Sequence, residues 1–166
     1  MGERKEKTPS ESAVETRYVV MPDMANSYGT VFGGEIMSWI DMTAGMVAQR
    51  HCEKVVVTAS IDTISFKAPV YIGDHVILRA KVNYVGNTSM EVGVNVIREN
   101  PFTGEKVNAT TAFLTFVCLD ENGRPTTAPK LRPETTEEKR RYENAKVRVE
   151  ARKELVRRLG KKPVIN

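Results

Sequence analysis

The sequence predicts an α+β fold in which one antiparallel sheet wraps around a single apolar helix. Three observations predict it. From residue 55 to residue 119 the apolar residues recur with a period of two. Before that stretch lies one segment, about Glu35 to Arg50, whose apolar residues cover most of a helical circumference. No helix signal returns until about residue 135, so strand follows strand across short turns and neighbours must pair antiparallel. The lone apolar helix then has only the sheet to bury itself against.

Taken in order, residues 1–12 carry three basic and three acidic side chains without periodicity and are expected to form a disordered arm. Arg17 to Met21 reads as a first strand, stopped by Pro22. Pro22 to Gly34 is a loop of turn formers that closes on the pair Gly33-Gly34. In the helix that follows, Ile36, Met37, Trp39, Ile40, Met42, Ala44, Met46, Val47 and Ala48 predict broad burial. Glu35, Ser38, Asp41, Gly45 and Gln49 make one narrow polar or small stripe along it.

Four strands are expected next, at about Val55 to Phe66, His75 to Val85, Thr88 to Arg98 and Glu105 to Leu119. Gly86-Asn87 and the Asn100 to Gly104 segment supply hairpin turns, and Pro69 with Gly73-Asp74 marks a bend. Such a sheet leaves an edge to cover, and a second copy of the chain is the economical cover. Residues 126–134 read as an extended linker. Thr136 then reads as the cap of a charged helix of about 137–159, with a thin apolar stripe of Tyr142, Ala145, Val149, Val156 and Leu159. The chain therefore divides into an arm (1–12), a body (13–133) and a charged helical extension (134–166).

Composition narrows the function. At 166 residues and 40% apolar, the chain suffices for one domain with a real core. No apolar run approaches the roughly 20 residues of a membrane span, and the first residues lack a secretory apolar stretch. Cys52 and Cys118 make no disulfide framework, so a reduced, cytoplasmic protein is expected. The net charge of +4 belongs to the tail: residues 134–166 hold 11 basic and 6 acidic groups, residues 13–133 hold 11 and 12. A nucleic-acid-binding body would carry its charge on the folded face, and this one does not.

Most chemical motifs are missing. No HxxxH or CxxC spacing occurs, so no metal site is expected. The Gly29 to Gly34 run lacks the Lys-Ser/Thr of a phosphate-binding loop, and no G-x-S-x-G elbow exists. His51 and His75 sit among polar turn residues and are expected at the surface. What remains is Asn26, Gly33-Gly34 and Asp41 around one helix. Unobstructed N–H groups at a helix start polarise a carbonyl oxygen. A carboxylate set against apolar walls loses hydration and becomes a better base. Together these are parts for attack on an acyl carbonyl.

The run PDMANSYGTVFGGEIMSWIDMTAG at residues 22–45, followed by SFKAPVYIGD at 65–74 and GNTS at 86–89, resembles the hotdog-fold acyl-CoA thioesterases of the brain acyl-CoA hydrolase and YciA type. The resemblance spans roughly residues 15–133. It implies a six-stranded antiparallel sheet around a central helix, dimers with active sites between subunits, and often a trimer of dimers. It puts the catalytic carboxylate on Asp41, the catalytic asparagine on Asn26, and the carbonyl-polarising amide on Gly34. Phe32 stands where many hotdog enzymes carry histidine, which argues against hydratase chemistry.

The expected reaction is hydrolysis of a fatty acyl-CoA thioester, with Asp41 as general base or nucleophile. Coenzyme A is part of the substrate, and no separate cofactor is implied. Gly33 lies beside the oxyanion site. Thr58 either assists from the facing strand or fills core. Backbone along Ser65, Phe66 and Lys67 is expected to meet the pantetheine. Asn87, Thr88 and Ser89, with Lys67 or Arg132, are expected to meet the phosphates. Gly34 and Asp41 stand about 10.5 Å apart along one helix axis, too far to serve one carbon, so the site is expected to combine two chains. The competing readings are a non-catalytic acyl-CoA-binding module and an RNA- or DNA-contacting protein.

Overall fold

The computed structural model describes residues 5–160. In chain order it contains β1 (Glu6–Lys7), α1 (Pro9–Ser12), β2 (Val14–Val19), α2 (Gly33–Cys52), β3 (Val55–Phe66), β4 (His75–Val85), β5 (Ser89–Glu99), β6 (Lys106–Leu119), β7 (Lys130–Leu131) and α3 (Thr136–Arg158). The main sheet has the order β2-β4-β5-β6-β3 and is antiparallel throughout. It holds five strands, not the six that the family resemblance implied. The two remaining strands, β1 and β7, pair with each other in a short parallel ladder.

The concave face of the sheet closes on α2. Ile36, Trp39, Ile40, Ala44, Val47 and Ala48 are buried against Val76, Leu78, Val92, Val94, Leu114 and Phe116. Each of the Ile, Val, Leu and Phe side chains contributes roughly 1.5–3 kcal/mol by leaving water. The period-two pattern places β4 to β6 well because their inward positions are apolar, and β3 is placed by its β-branched residues. The first strand is different: β2 begins and ends earlier than Arg17–Met21, because its inward row includes a threonine. Thr16 shares a hydrogen bond of 2.8 Å with Thr43 of α2, and Tyr18 stacks on Trp39 with centroids 4.8 Å apart.

Helix α2 itself corrects two expectations. Gly33 and Gly34 are its first two residues rather than the end of the preceding loop, and Phe32 at the N-cap offers no side-chain cap. Nor is the helix buried around its circumference. Met37, Met42 and Met46 are 38%, 49% and 41% exposed, because the sheet covers only one side. Apolar residues on both sides had hidden that asymmetry.

Two further expectations give way. Residues 5–12 are ordered (residues 1–4 lie outside the described set), because polar groups staple them to the body. Lys5 Nζ donates to both carboxylate oxygens of Glu53 at 2.8 Å, Lys7 Nζ donates to the Arg50 carbonyl at 2.7 Å, and Ser10 donates to Glu138 at 2.8 Å. His51 is fully buried, with Nε2 3.0 Å from the Pro129 carbonyl, while His75 opens β4 with Nδ1 3.8 Å from Glu99. Cys52 and Cys118 lie side by side in the core, both buried, with Cα atoms 6.4 Å apart. Their separation of 66 residues gives no local signal; the end of α2 happens to land on β6.

Helix α3 lies over the outer face of the sheet. Its N-cap is Thr135, one residue earlier than expected, in a reciprocal capping box with Glu138. Ala145 and Val149 are buried, but Leu159 is exposed. Ionic contacts do much of the docking: Arg148 pairs with Glu91, which is 1% exposed, and stacks over Phe113 at 3.7 Å. Residues 161–166 of the extension lie outside the described set. Among the described residues no helix is long and apolar enough to cross a membrane.

Candidate active site

The loop before α2 is built to present the helix start. Asn26 N–H donates to the Thr30 carbonyl (2.8 Å), Phe32 N–H to the Met24 carbonyl (3.1 Å) and Val31 N–H to the Val70 carbonyl (2.9 Å). The Asn26 side chain knits the tip: Oδ1 accepts from the backbone N–H of Tyr28 at 2.9 Å and of Thr30 at 3.2 Å. Nδ2 spends one hydrogen on the Thr30 hydroxyl at 2.9 Å. Asn26 is therefore saturated as an acceptor and keeps one N–H to offer.

The amides of Gly33 and Gly34 belong to the first helical turn, where N–H groups have no intrahelical partner. A methyl group built on Gly34 would meet nothing within 4 Å, and one on Gly33 would only touch the Phe66 ring at 3.4 Å. Packing within the chain does not require glycine at 34. Beside this helix start opens a groove of about 390 Å³ lined by Thr30, Val31, Gly33, Phe66, Lys67 and Pro69. Lys67 N–H is held by the Ala109 carbonyl at 2.7 Å, and its ammonium by the Thr111 hydroxyl at 3.0 Å.

Asp41 lies two turns further along α2, half-buried and on the side that the sheet leaves open. Thr58 of β3 donates its hydroxyl to Asp41 Oδ1 at 2.8 Å. Thr58 is exposed, not a core threonine. Its hydrogen bond fixes one carboxylate oxygen and leaves Oδ2 for other work.

The remaining candidates separate. Ser65 and Phe66 pair with Thr111 and Thr110 of β6, at the Gly33 end of the sheet. Ser89 pairs with Val117, which pairs with Val57, so the Asn87-Thr88-Ser89 turn stands one register row from Thr58, two strands across the sheet. Arg132 donates its N–H to the Lys7 carbonyl at 2.9 Å and pairs with Glu134 at 3.2 Å, near the C-terminal end of α2. One chain thus presents two separate groups of candidate residues. The first holds Asn26, Gly33, Gly34, Phe66 and Lys67. The second holds Asp41 and Thr58. Among the described residues no cluster of His, Cys, Asp and Glu could hold a metal ion.

A helix enclosed on one side by an antiparallel sheet, with bare amides at its start and a carboxylate on its open side, is the frame of a hotdog thioesterase. The thioesterase superfamily profile matches residues 28–104. The chain is 46% identical over 143 residues to the uncharacterised acyl-CoA thioester hydrolase YkhA of Bacillus subtilis, covering 86% of this chain and 83% of that one. It is 35% identical to a cytosolic acyl coenzyme A thioester hydrolase of Rattus norvegicus, covering 85% of this chain and 38% of that longer one.

Among solved structures, an apo-hexameric acyl-CoA thioesterase superposes with a TM-score of 0.89 at 41% identity, covering 92% of this chain and 97% of that one. The acyl-CoA hydrolase of Staphylococcus aureus, solved with butyryl coenzyme A, coenzyme A and coenzyme A disulfide, gives 0.87 at 39% identity with 93% of each chain covered. That enzyme has also been solved with alanine in place of an aspartate, an asparagine and a threonine. The chain belongs to the acyl-CoA thioester hydrolases of the thioesterase superfamily.

Proposed function

We propose that two copies of this chain build each active site, at which fatty acyl-CoA thioesters are hydrolysed to the free acid and coenzyme A. The observation that carries this reading is the division of the parts along α2. Gly34 and Asp41 share the helix's open side, about 10.5 Å apart along its axis, each with its own supporting residues. A second helix running the opposite way brings one copy's Asp41 to the other's Gly34.

The surface around them suits that partner. Met37, Met42 and Met46 are exposed along α2, and β3 is an edge strand of the sheet with Val55 and Ile61 uncovered. Such an edge invites pairing. The hexameric neighbour supports a trimer of these dimers, and the cytosolic relative supports a cytoplasmic location.

In the reaction, the thioester carbonyl lies against the Gly34 N–H at the positive end of α2. Removing one such oxyanion donor costs about 3–4 kcal/mol in other enzymes. Asp41 Oδ2 meets the carbonyl carbon, either directly or through a water whose proton it takes. Asn26, with a single N–H left to give, donates to the carbonyl or the intermediate. The pantetheine follows the groove beside Phe66. The phosphates meet Lys67 of one copy or the 87–89 turn and Arg132 of the other. The three alanine variants of the Staphylococcus aureus enzyme support these roles, since their positions have the chain spacing of Asn26, Asp41 and Thr58. Thiol release from a panel of acyl-CoA esters tests the activity: Asp41→Asn should abolish it while the oligomer stays folded, and turnover that persists would remove Asp41 from the chemistry.

A further inference from the structure

Strand β3 carries Thr58, and its register against β6 slips twice just beyond it, between Thr58 and Ser60 and between Ile61 and Thr63. Each slip inserts one extra residue, Ala59 and then Asp62. In a regular strand residues 58 and 60 would share a face. Here Thr58 reaches inward to Asp41, whereas Ser60 turns to the other side and donates to Asp62 Oδ1 at 2.7 Å. The first bulge therefore allows one strand to serve both faces.

Asp62 gathers this irregular segment. Besides Ser60, it accepts from the Thr115 hydroxyl of β6 at 2.8 Å. Its third partner is Arg152 of α3, whose Nη1 reaches both Asp62 and Thr115. The Asp62 side chain is only 16% exposed. A carboxylate so placed is costly without its cation. A bulged edge strand has lost ladder hydrogen bonds that would otherwise fix its shape. The Asp62 cluster replaces them, and α3 supplies the cation.

We propose that Arg152 is a positioning residue for thioester hydrolysis, locking through Asp62 the bulge that aims Thr58 at the Asp41 carboxylate. The proposal rests on Asp41 being the reacting carboxylate. It gives the C-terminal helix a part in catalysis without contact with substrate. A misplacement of about 1 Å remote from the chemistry is enough to cost a large factor in rate.

The test is a double-mutant cycle on the intact oligomer, read as kcat and KM for acyl-CoA cleavage. Arg152→Ala should lower kcat by about tenfold with KM nearly unchanged. Arg152→Lys should restore most of it, because the contact runs through one guanidinium nitrogen. In a Thr58→Ala background Arg152→Ala should cost nothing more, since both changes act through one hydroxyl. Arg140→Ala, which loses only a pair with Glu137 on its own helix, should change nothing. An unchanged kcat in Arg152→Ala, or a full additional loss in the Thr58→Ala background, overturns the proposal. If Arg152→Ala assembles poorly, Asp62→Asn keeps the size and removes the charge, and the same pattern is required of it. Asp41→Asn separates the two failures: if it still turns over, the reading of the site is wrong. If it is dead while Arg152→Ala is fully active, only the positioning role is wrong.

Discussion

Asp41 has one oxygen held by Thr58 at 2.8 Å and one oxygen free. That division makes a residue-scale prediction. Asp41→Asn preserves the shape and the bond from Thr58 but removes the base, and general acid–base groups are worth roughly 10²–10⁴ in rate. A loss of kcat in that range with unchanged KM is expected, measured by thiol release. Asn26→Asp is a complementary probe. It keeps the acceptor that holds Tyr28 and Thr30 but removes the free N–H. The loop should stay in place by hydrogen exchange while kcat falls. At this scale much of the candidate site is legible, because Asn26, Gly34 and Asp41 stand out as a polar set around an apolar helix and resemble a family signature. Thr58 was legible only as an alternative to core. The Asp62–Arg152 pair was not, since 90 residues separate its members and nothing in either segment marks the other.

At the scale of elements, the start of α2 is the part with the sharpest consequence. Proline is tolerated in a first helical turn because the N–H it lacks has no helical partner. Gly34→Pro should therefore leave the thermal midpoint within a few degrees and lower kcat by roughly 10²–10³. Equal loss of stability and activity would point to packing instead. The other end of α2 responds to pH. Hydrogen bonds from Lys5, then from Lys7, hold the Glu53 carboxyl down at about 2, from an ordinary 4.5. A lowered value means that the part of the arm's attachment that Glu53 supplies is complete above pH 4.5 and fades as pH falls toward about 2. Protection of the Glu6 and Lys7 amides should fade across that window before the central strands open, and Glu53→Gln should remove the dependence.

Elements were the most legible level. Strands β4 to β6 follow directly from alternation, since their inward rows are almost wholly apolar, whereas β3, with its two register slips, follows from its β-branched composition. The arm was misjudged because its order depends on Lys5, Lys7 and Ser10 finding partners at Glu53, Arg50 and Glu138, which polar composition does not reveal. The same limit hid the burial of His51, whose partners Ser12 and Pro129 come from both ends of the body.

For the whole molecule, the open side of α2 and the free edge of β3 define one continuous surface that a single chain leaves uncovered. On the proposed reading a second copy completes each site on that surface, and activity then belongs to the assembly. The sequence pointed to this through a simple length: seven residues of helix hold Gly34 and Asp41 too far apart to act on one carbon. Subunit complementation tests the claim most directly. An Asp41→Asn chain and an Asn26→Ala chain, each inactive by itself, are mixed, dissociated and reassembled. In a mixed dimer one site receives both substitutions and the other receives neither. Activity should return in the mixture, to about a quarter of the wild-type value for random pairing of equal amounts. A mixture that forms mixed dimers yet stays as inactive as its components would show that each chain works with its own Asp41 and Asn26, and would contradict a site shared between two chains.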